Sequence, residues 1–156
     1  MNLISKLQKL GLTLLEVSRP GGNYQSVNIR GNIAYVAIQF PILGEKYLFQ
    51  GRLGEQITTE HGYEAMKYCA LNVLSQIETK IGFDKVMGLN HIEAYYQSTT
   101  DWDDGPIVVN GASDLFQMVL EEKGTHSRTI LGVAGLPRNF AVGLTCSFTL
   151  YPTDNL

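Results

Sequence analysis

The chain has 156 residues, of which 44% are hydrophobic and 17% are charged, and this composition suits one soluble domain over residues 1–156 with a single sizeable core. Its 12 Lys and Arg against 15 Asp and Glu give a formal net charge of -3. Neither sign forms a long block or a basic stripe. A nucleic acid partner is therefore not expected, because a phosphate backbone is bound by concentrated positive charge.

The first predicted element is a short N-terminal helix. Leu3, Ile4, Leu7 and Leu10 recur at helical spacing, and Gly11 follows them where a left-handed residue ends many helices. This apolar run is too short and too often broken by lysine to be a signal peptide. No other segment approaches the ~18 unbroken apolar residues that span a bilayer, so we expect no membrane partner.

A β-hairpin is predicted next. Residues 24–29 and 33–39 have the composition of strands, and the glycine-containing triplet at 30–32 is typical of the tight turn between them. Repeated glycine and proline in residues 40–57 indicate a loop with at most a brief strand at 47–49.

The longest helix is predicted to begin after Thr58, whose hydroxyl suits a helix cap. Six apolar residues then share one face of that helix: Met66, Ala70, Val73, Leu74, Ile77 and Ile81. Residues 86–96 favour a long strand, and Pro106 opens a second helix that continues through Leu120.

Residues 128–133 and 142–150 complete the predicted strands, with a turn at 136–139. The resulting order is ββαβαββ, an α+β sandwich with a mixed sheet and both helices on one face. The other face needs a cover, because four strand residues assigned to outward positions are apolar: Val27, Ile29, Val36 and Ile38. Burial against identical neighbours is the natural solution, so we expect a homo-oligomer.

The cysteines and histidines form no metal or redox motif. Cys69 and Cys146 lie in apolar surroundings and are far apart in sequence, which indicates structural thiols in a reducing compartment, the cytoplasm. His61, His91 and His126 have no partner four residues away and no neighbouring cysteine. Neither a metal site nor a cofactor is therefore expected.

Arg128 is the most informative residue for function. It stands at the head of an otherwise uncharged, strand-like segment, and its guanidinium keeps its charge at any working pH. Its planar group of N–H donors can make two parallel hydrogen bonds to one carboxylate, so one hypothesis is that Arg128 binds an anion. The alternative is an ion pair between Arg128 and a neighbouring Asp or Glu.

Several motifs occur in the same order as in the RidA/YjgF family, and the chain resembles that family over nearly its whole length. The motifs are Asn23-Tyr24, YVAIQFP at 35–41, CALN at 69–72, VNGAS at 109–113 and the arginine stretch at 126–137. Residues 9–12 and 20–24 look most like the subgroup with a longer N-terminus. The resemblance implies the fold of trimeric chorismate mutase, with ligand clefts at the boundaries between subunits.

The resemblance also implies roles for three residues. In the family, the arginine that matches Arg128 holds the carboxylate of small 2-keto acids, or of enamines and imines derived from amino acids, which agrees with the chemistry of a guanidinium. Tyr24 matches a tyrosine of the family's cleft, and the alternative is a buried hairpin tyrosine. Asn110 matches another polar residue of the cleft, but a helix N-cap is the more ordinary role for it.

The departures from the family pattern concern catalysis. Deaminating relatives use a glutamate on the last strand to organise the attacking water, and the matching residue here is Gly143, which cannot steer a proton. Thr145, the next inward residue, can orient a water but is no base near neutral pH. Ala37 and Ile38 replace a Ser-Gly pair, and Ile130 replaces a common cysteine, so the implied cleft is more apolar.

Two functions follow as hypotheses. The first is a homotrimeric protein that binds a small carboxylate metabolite at Arg128 without efficient turnover. The alternative is an enamine or imine deaminase with a rearranged water site at Thr145 or at His126. The more ordinary role of the His126 imidazole is hydrogen bonding within its own loop. The endoribonuclease label of some relatives finds no support here, because the sequence has no basic groove or aromatic stacking platform.

Overall fold

The computed structural model describes residues 2–153 of the chain. Within that range the helices and strands are α1 Leu3–Lys9, β1 Val27–Arg30, β2 Ile33–Gln39, β3 Ile42–Leu43, β4 Lys46–Tyr47, α2 Thr59–Lys80, β5 Val86–Tyr96, α3 Gly105–Leu120, β6 Ser127–Gly132 and β7 Val142–Leu150. The predicted order ββαβαββ is confirmed for the main sheet and its two long helices. The loop at residues 40–57 adds a small hairpin formed by β3 and β4.

Local capping sets the boundaries of the first two helices. The side chain of Asn2 accepts the N–H of Ser5 at the start of α1, and Gly11 follows that helix with φ of +72°. The Thr58 hydroxyl accepts the N–H of His61 at 3.1 Å, so the predicted cap of α2 is confirmed. No helix within the described residues has the length and apolar character needed to cross a membrane.

The VNGAS motif lies inside α3 rather than at its start. The helix begins at Gly105, so the prediction of Asn110 as an N-cap is wrong. Gly111 allows α3 to cross close to α2, because a Cβ there would overlap the carbonyl oxygen of Tyr63. Across the same crossing the Tyr63 hydroxyl donates to Asp114 at 2.7 Å. This bond, followed by burial, raises the pKa of Tyr63 to about 12.

The main sheet has five strands in the order β1-β2-β7-β5-β6. Neighbouring strands are antiparallel except β5 and β6, which are parallel and are connected through α3. Helices α2 and α3 cover the same face, as predicted, and one continuous core joins them to the sheet. Its largest fully buried side chains include Met66, Leu74, Ile77, Ile92, Phe116, Leu144 and Phe148.

The face of the sheet without helices is mostly polar, and three of the four apolar residues predicted for it lie elsewhere. Val27 pairs with Val36, and Ile29 pairs with Ala34; both partners are buried under the helices. Val27, Ile29 and Val36 therefore share the helix-covered face, and Ile38 alone of the four lies on the open face. A β-bulge after Val36 shifts the alternation of β2 by one residue. We expected a homo-oligomer because these four apolar residues were assigned to the open face. Since only one of them lies there, that argument no longer holds.

The two thiols lie in the core. Cys69 on α2 and Cys146 on β7 are both free and buried. Burial raises the pKa of each thiol well above its ordinary value, which disfavours the reactive thiolate form.

Candidate functional site

Arg128 is anchored by neutral oxygen atoms of helix α3. It pairs with the buried Ile92, so its side chain extends on the helix-covered side of the sheet. Its Nη1 donates to Asn110 Oδ1 at 2.8 Å and to Ser113 Oγ at 3.1 Å, and Nη2 donates to the carbonyl oxygen of Pro106 at 3.4 Å. Nε and the other N–H of Nη2 make no hydrogen bond within residues 2–153. The guanidinium is thus held in place, and two of its N–H groups have no acceptor among the described residues.

No carboxylate compensates the charge of Arg128 within the described part of the chain. The one ion pair found there joins Lys6 and Glu121 at 3.5 Å. The alternative of an Arg128 ion pair is therefore contradicted for these residues. A guanidinium held by neutral oxygen atoms keeps its attraction for an incoming anion.

A chain of hydrogen bonds links Arg128 to His126. The Nδ1 atom of His126 lies 2.6 Å from the carbonyl oxygen of Gly124, which can only accept, so Nδ1 carries the proton. The Ser113 hydroxyl accepts from Arg128 and lies within hydrogen-bond distance, 2.9 Å, of Nε2. Both ring nitrogens of His126 are therefore occupied, which fits loop hydrogen bonding better than proton exchange with a ligand. We call Arg128, Asn110, Ser113 and His126 the arginine receptor.

Tyr24 and Ile38 line a different cleft, which opens beside the end of β2. The cleft has a volume of about 520 Å³ and is bordered by the loop at 18–24, the β3–β4 hairpin and the turn at 137–140. Tyr24 is 48% exposed, so the alternative of a buried hairpin tyrosine does not apply. We call this cleft the aromatic cleft, and its principal wall residues are Tyr24, Ile38, Phe40, Tyr47, Arg138 and Phe140.

Gly143 lies against this cleft, and neighbouring side chains occupy the space beside it. A Cβ at residue 143 would come within 2.8 Å of Ile38 Cδ1 and 2.9 Å of Phe40 Cε1. The space that a glutamate side chain needs is therefore filled by apolar groups. Residues 38 and 143, which both depart from the family pattern, thus share one space, and residue 143 has no carboxylate to act as a general base.

Of the remaining predicted residues, Thr145 and Ala37 lie apart from both places, whereas Ile130 follows Arg128 by two residues on the same face of β6. Thr145 is on the open face, in a shallow depression of about 230 Å³ that His91 and Glu93 also line. Ile130 lies on the helix-covered face of β6 and packs against the core. Ala37 lies at the bulge of β2 and does not line the aromatic cleft.

His91 is engaged by hydroxyl groups of the open face. Its Nδ1 lies 2.7 Å from Ser127 Oγ, and its Nε2 lies 3.1 Å from Thr129 Oγ1. Across residues 2–153 no group of three His, Cys, Asp or Glu side chains is arranged to hold a metal ion.

The arginine receptor and the aromatic cleft lie apart within one chain. The receptor is on the helix-covered side of β6, at one edge of the sheet, whereas Ile38 and Gly143 face the open side on β2 and β7. A small ligand therefore cannot touch both places in a single chain. One site that contains both Arg128 and Tyr24 needs two chains.

Three functional candidates were not identified from the sequence. Ser113 lies three residues after Asn110 and hence on the same side of α3, so helical spacing is the signal that finds it. Arg19 and Arg138 both line the aromatic cleft, yet they belong to loops at opposite ends of the chain. No local pattern connects them.

Known proteins are similar to this chain in both sequence and fold. Residues 4–149 match the family described as "YjgF/chorismate mutase-like, putative endoribonuclease". Protein TCP17 of Trypanosoma cruzi is 35% identical to the chain over 140 residues, which cover 88% of each. A crystal structure from Shewanella oneidensis, titled a "putative endoribonuclease", has a TM-score of 0.94 at 30% identity, covering 96% of this chain and 100% of its own.

A more distant structure, E. coli TdcF with bound serine, has a TM-score of 0.61 at 12% identity, covering 87% of this chain and 93% of its own. At that identity the likeness concerns the fold alone. The family match over residues 4–149, the TCP17 relative and the motifs read from the sequence agree, and the chain belongs to the YjgF/chorismate mutase-like family.

Proposed function

We propose that the protein binds a small carboxylate metabolite, such as a 2-keto acid, at Arg128 and does so without efficient catalysis. The observation that carries this proposal is a guanidinium held by Asn110, Ser113 and Pro106, with no carboxylate partner among residues 2–153. Its remaining N–H donors suit carboxylate oxygens. TdcF, which has the same fold, was solved with serine, a molecule that carries a carboxylate.

The proposed functional unit is a homotrimer in which one chain supplies the arginine receptor and its neighbour supplies the aromatic cleft. This arrangement reconciles the family resemblance with the separation of Arg128 from Tyr24 in a single chain. We place the protein in the cytoplasm, in line with its two free thiols, and we propose neither a nucleic acid nor a membrane partner.

The second candidate function is an enamine or imine deaminase with a rearranged water site. The depression at Thr145 favours it, because Glu93 borders the same space and its carboxylate can accept a hydrogen bond from a water. Two observations weigh against it: apolar side chains fill the space beside Gly143, and both ring nitrogens of His126 are engaged. Binding without turnover is therefore the better supported function.

Calorimetric titration with 2-oxobutyrate tests the proposal. Arg128→Gln removes the charge, and we expect the affinity to fall at least about tenfold, because charge-assisted hydrogen bonds are lost. Arg30→Gln is the matched control, since Arg30 is an exposed arginine that bonds only its neighbours Asn28 and Ile29. Equal affinities of the Arg128→Gln and Arg30→Gln variants contradict the proposal.

A coupled assay with an amino-acid-derived imine separates binding from catalysis. Hydrolysis at the spontaneous rate, together with 2-oxobutyrate binding, supports a binding protein. Turnover well above that rate, lost in Arg128→Gln, establishes the deaminase instead. Sedimentation equilibrium tests the trimer, and a chain that stays monomeric at the concentrations used for binding rules it out.

A further inference from the structure

A separate cavity lies between α1 and the last turns of α2 and α3, and we call it the helix-end cavity. We infer that it binds an α-amino acid with an apolar side chain, such as leucine, through charged groups of both signs. This goes beyond the proposed function, because the cavity contains no residue of the arginine receptor or of the aromatic cleft. Its ligand is also a zwitterion, not a carboxylate alone.

One wall of the helix-end cavity is apolar and belongs to the core. The cavity has a volume of about 360 Å³, within the range of roughly 300–1,000 Å³ typical of small-molecule sites. Its apolar wall residues are Leu3, Phe83, Val119 and Leu120. Phe83 meets the buried Phe148 edge-on with ring centroids 6.1 Å apart, which holds the Phe83 ring in place. Covering this wall with a branched apolar side chain is favourable.

Four charged side chains border the same cavity, two of each sign: Lys6, Lys123, Glu78 and Asp84. Within residues 2–153 no ion pair joins either of these lysines to either of these carboxylates. The two signs therefore face one space without neutralising each other. An α-amino acid carries a carboxylate and an ammonium group on one carbon atom, so a single small molecule can bond to both signs.

The acidic side of the cavity is formed by α2 and the loop that follows it. Glu78 Oε2 accepts the N–H of Phe83 at 3.1 Å, and Glu78 Oε1 has no donor among the described residues. Gly82 has φ of +99°, and a Cβ there would lie 2.7 Å from Asp84 Oδ1, so the carboxylate of Asp84 turns back over this loop. Both long helices also reach the cavity with their last turns, where the negative end of a helix dipole attracts a cation. We place the ammonium group of the ligand on this side.

The basic side is formed by Lys6 and Lys123. Lys123 Nζ donates to the carbonyl oxygen of Val86 at 2.9 Å and lies 5.2 Å from the centre of the Tyr151 ring. An ammonium group has three N–H donors, so Lys123 can also donate to a ligand. Lys6 pairs with Glu121 at 3.5 Å, but the Glu121 side chain is 72% exposed. Since exposed ion pairs contribute little to stability, a ligand carboxylate can replace Glu121 as the partner of Lys6.

Three compounds separate the two charges in calorimetric titrations. L-Leucine carries both charges, 4-methylpentanoate keeps only its carboxylate, and 3-methylbutylamine keeps only its ammonium group. We expect leucine to bind at least about tenfold more tightly than either of the others, because it alone makes charge-assisted hydrogen bonds on both sides of the cavity. Absence of leucine binding overturns the inference, and so does an equal affinity for leucine and either single-charge compound.

Variants then locate the site. Asp84→Asn is expected to weaken leucine binding about tenfold, and Asp103→Asn, at another exposed aspartate, is expected to leave it unchanged. Lys6→Gln is expected to have an effect similar to that of Asp84→Asn. Glu121→Gln is the matched control, because it breaks the same ion pair and leaves the lysine in the cavity. Leucine binding that is insensitive to Asp84→Asn and Lys6→Gln overturns the inference, and so does an equal loss in Glu121→Gln and Lys6→Gln.

The two proposals fail separately. Because leucine carries a carboxylate, its titration is repeated with the Arg128→Gln variant, whose arginine receptor has lost its charge. Leucine affinity that is retained in this variant supports the helix-end cavity as a second site. Leucine affinity that is lost in it assigns the binding to the arginine receptor and overturns the inference. Failure of the proposed function looks different, because 2-oxobutyrate binding is then insensitive to Arg128→Gln.

Discussion

The arginine receptor and the aromatic cleft are built in different ways. The receptor holds one charge at the edge of the sheet through hydrogen bonds to neutral oxygen atoms of a single helix. The cleft is enclosed by segments that are distant in sequence, and buried amides fix their backbones. A charge can thus be positioned by regular secondary structure, whereas a shape requires irregular segments with buried polar support.

The largest expected effect breaks the receptor while sparing the cleft. In Gly111→Ala the new methyl group would overlap the Tyr63 carbonyl, so α3 has to move away from α2. We expect a loss of about 3 kcal/mol in the free energy of unfolding, measured by urea denaturation. Because Asn110 and Ser113 move with the same helix, 2-oxobutyrate binding is expected to weaken as well.

Gly135→Ala is the matched control for that variant. A Cβ at Gly135 has no neighbour closer than 3.8 Å, so its stability should stay near that of the original chain. Similar stabilities of the Gly111→Ala and Gly135→Ala variants would show that the two helices do not meet at Gly111.

The reciprocal variant, Gln97→Leu, breaks the cleft and spares the receptor. Leucine has a similar volume but leaves the Leu136 N–H without its acceptor and releases Asn139. We expect a loss of about 2 kcal/mol in the free energy of unfolding. In the proposed trimer each arginine receptor is completed by the aromatic cleft of a neighbouring chain, so 2-oxobutyrate affinity should fall as well. Retained 2-oxobutyrate affinity would show that the aromatic cleft takes no part in the site.

A smaller effect tests whether the side chains at residues 38 and 143 compete for the same space. Gly143→Glu forces the ends of the Ile38 and Phe40 side chains to shift, at a cost of about 1.5 kcal/mol. The same change made together with Ile38→Ala should cost about 1 kcal/mol less, because the space is then available. Additive effects in this double-mutant cycle would show that the two residues are independent.

The smallest expected effect is a pH dependence at the helix crossing behind the receptor. The bond to Asp114 raises the pKa of Tyr63 from its ordinary value of 10.0 to about 12 in the folded chain. Its contribution to stability is therefore fully present below pH 10 and is lost as the pH rises through about 12. The stability advantage of the original chain over Asp114→Asn should shrink across that interval in urea denaturation. An advantage that stays constant with pH would contradict this account.

The elements that the sequence predicts well are those with local signals. Thr58 caps the longest helix, and the composition of residues 86–96 identifies β5. The failures have non-local causes. The bulge after Val36 depends on pairing between β2 and β7. Asparagine often caps helices, but Asn110 lies inside α3, next to the glycine at the crossing with α2.

The residues of the candidate site also divide into those with a local signal in the sequence and those brought together by tertiary folding. The chemistry of a lone guanidinium and the family resemblance single out Arg128, whose role in binding stays a prediction. The surroundings of Arg128 depend on α3, which lies earlier in the chain, so the absence of an ion pair could be seen only in the folded structure. Arg19 and Arg138 meet at one cleft because of tertiary folding, and no sequence pattern connects them.

Strand β6 has a neighbour on one side only, and its ladder with β5 is the parallel one of the sheet. A strand with half its backbone groups unpaired opens more easily than the central strand β7. Amide protons of Ser127–Gly132 should therefore exchange with heavy water sooner than those of Val142–Leu150. If an acid binds at Arg128 as proposed, it would connect β6 to α3, and slower deuterium uptake along β6 would then report that the site is occupied.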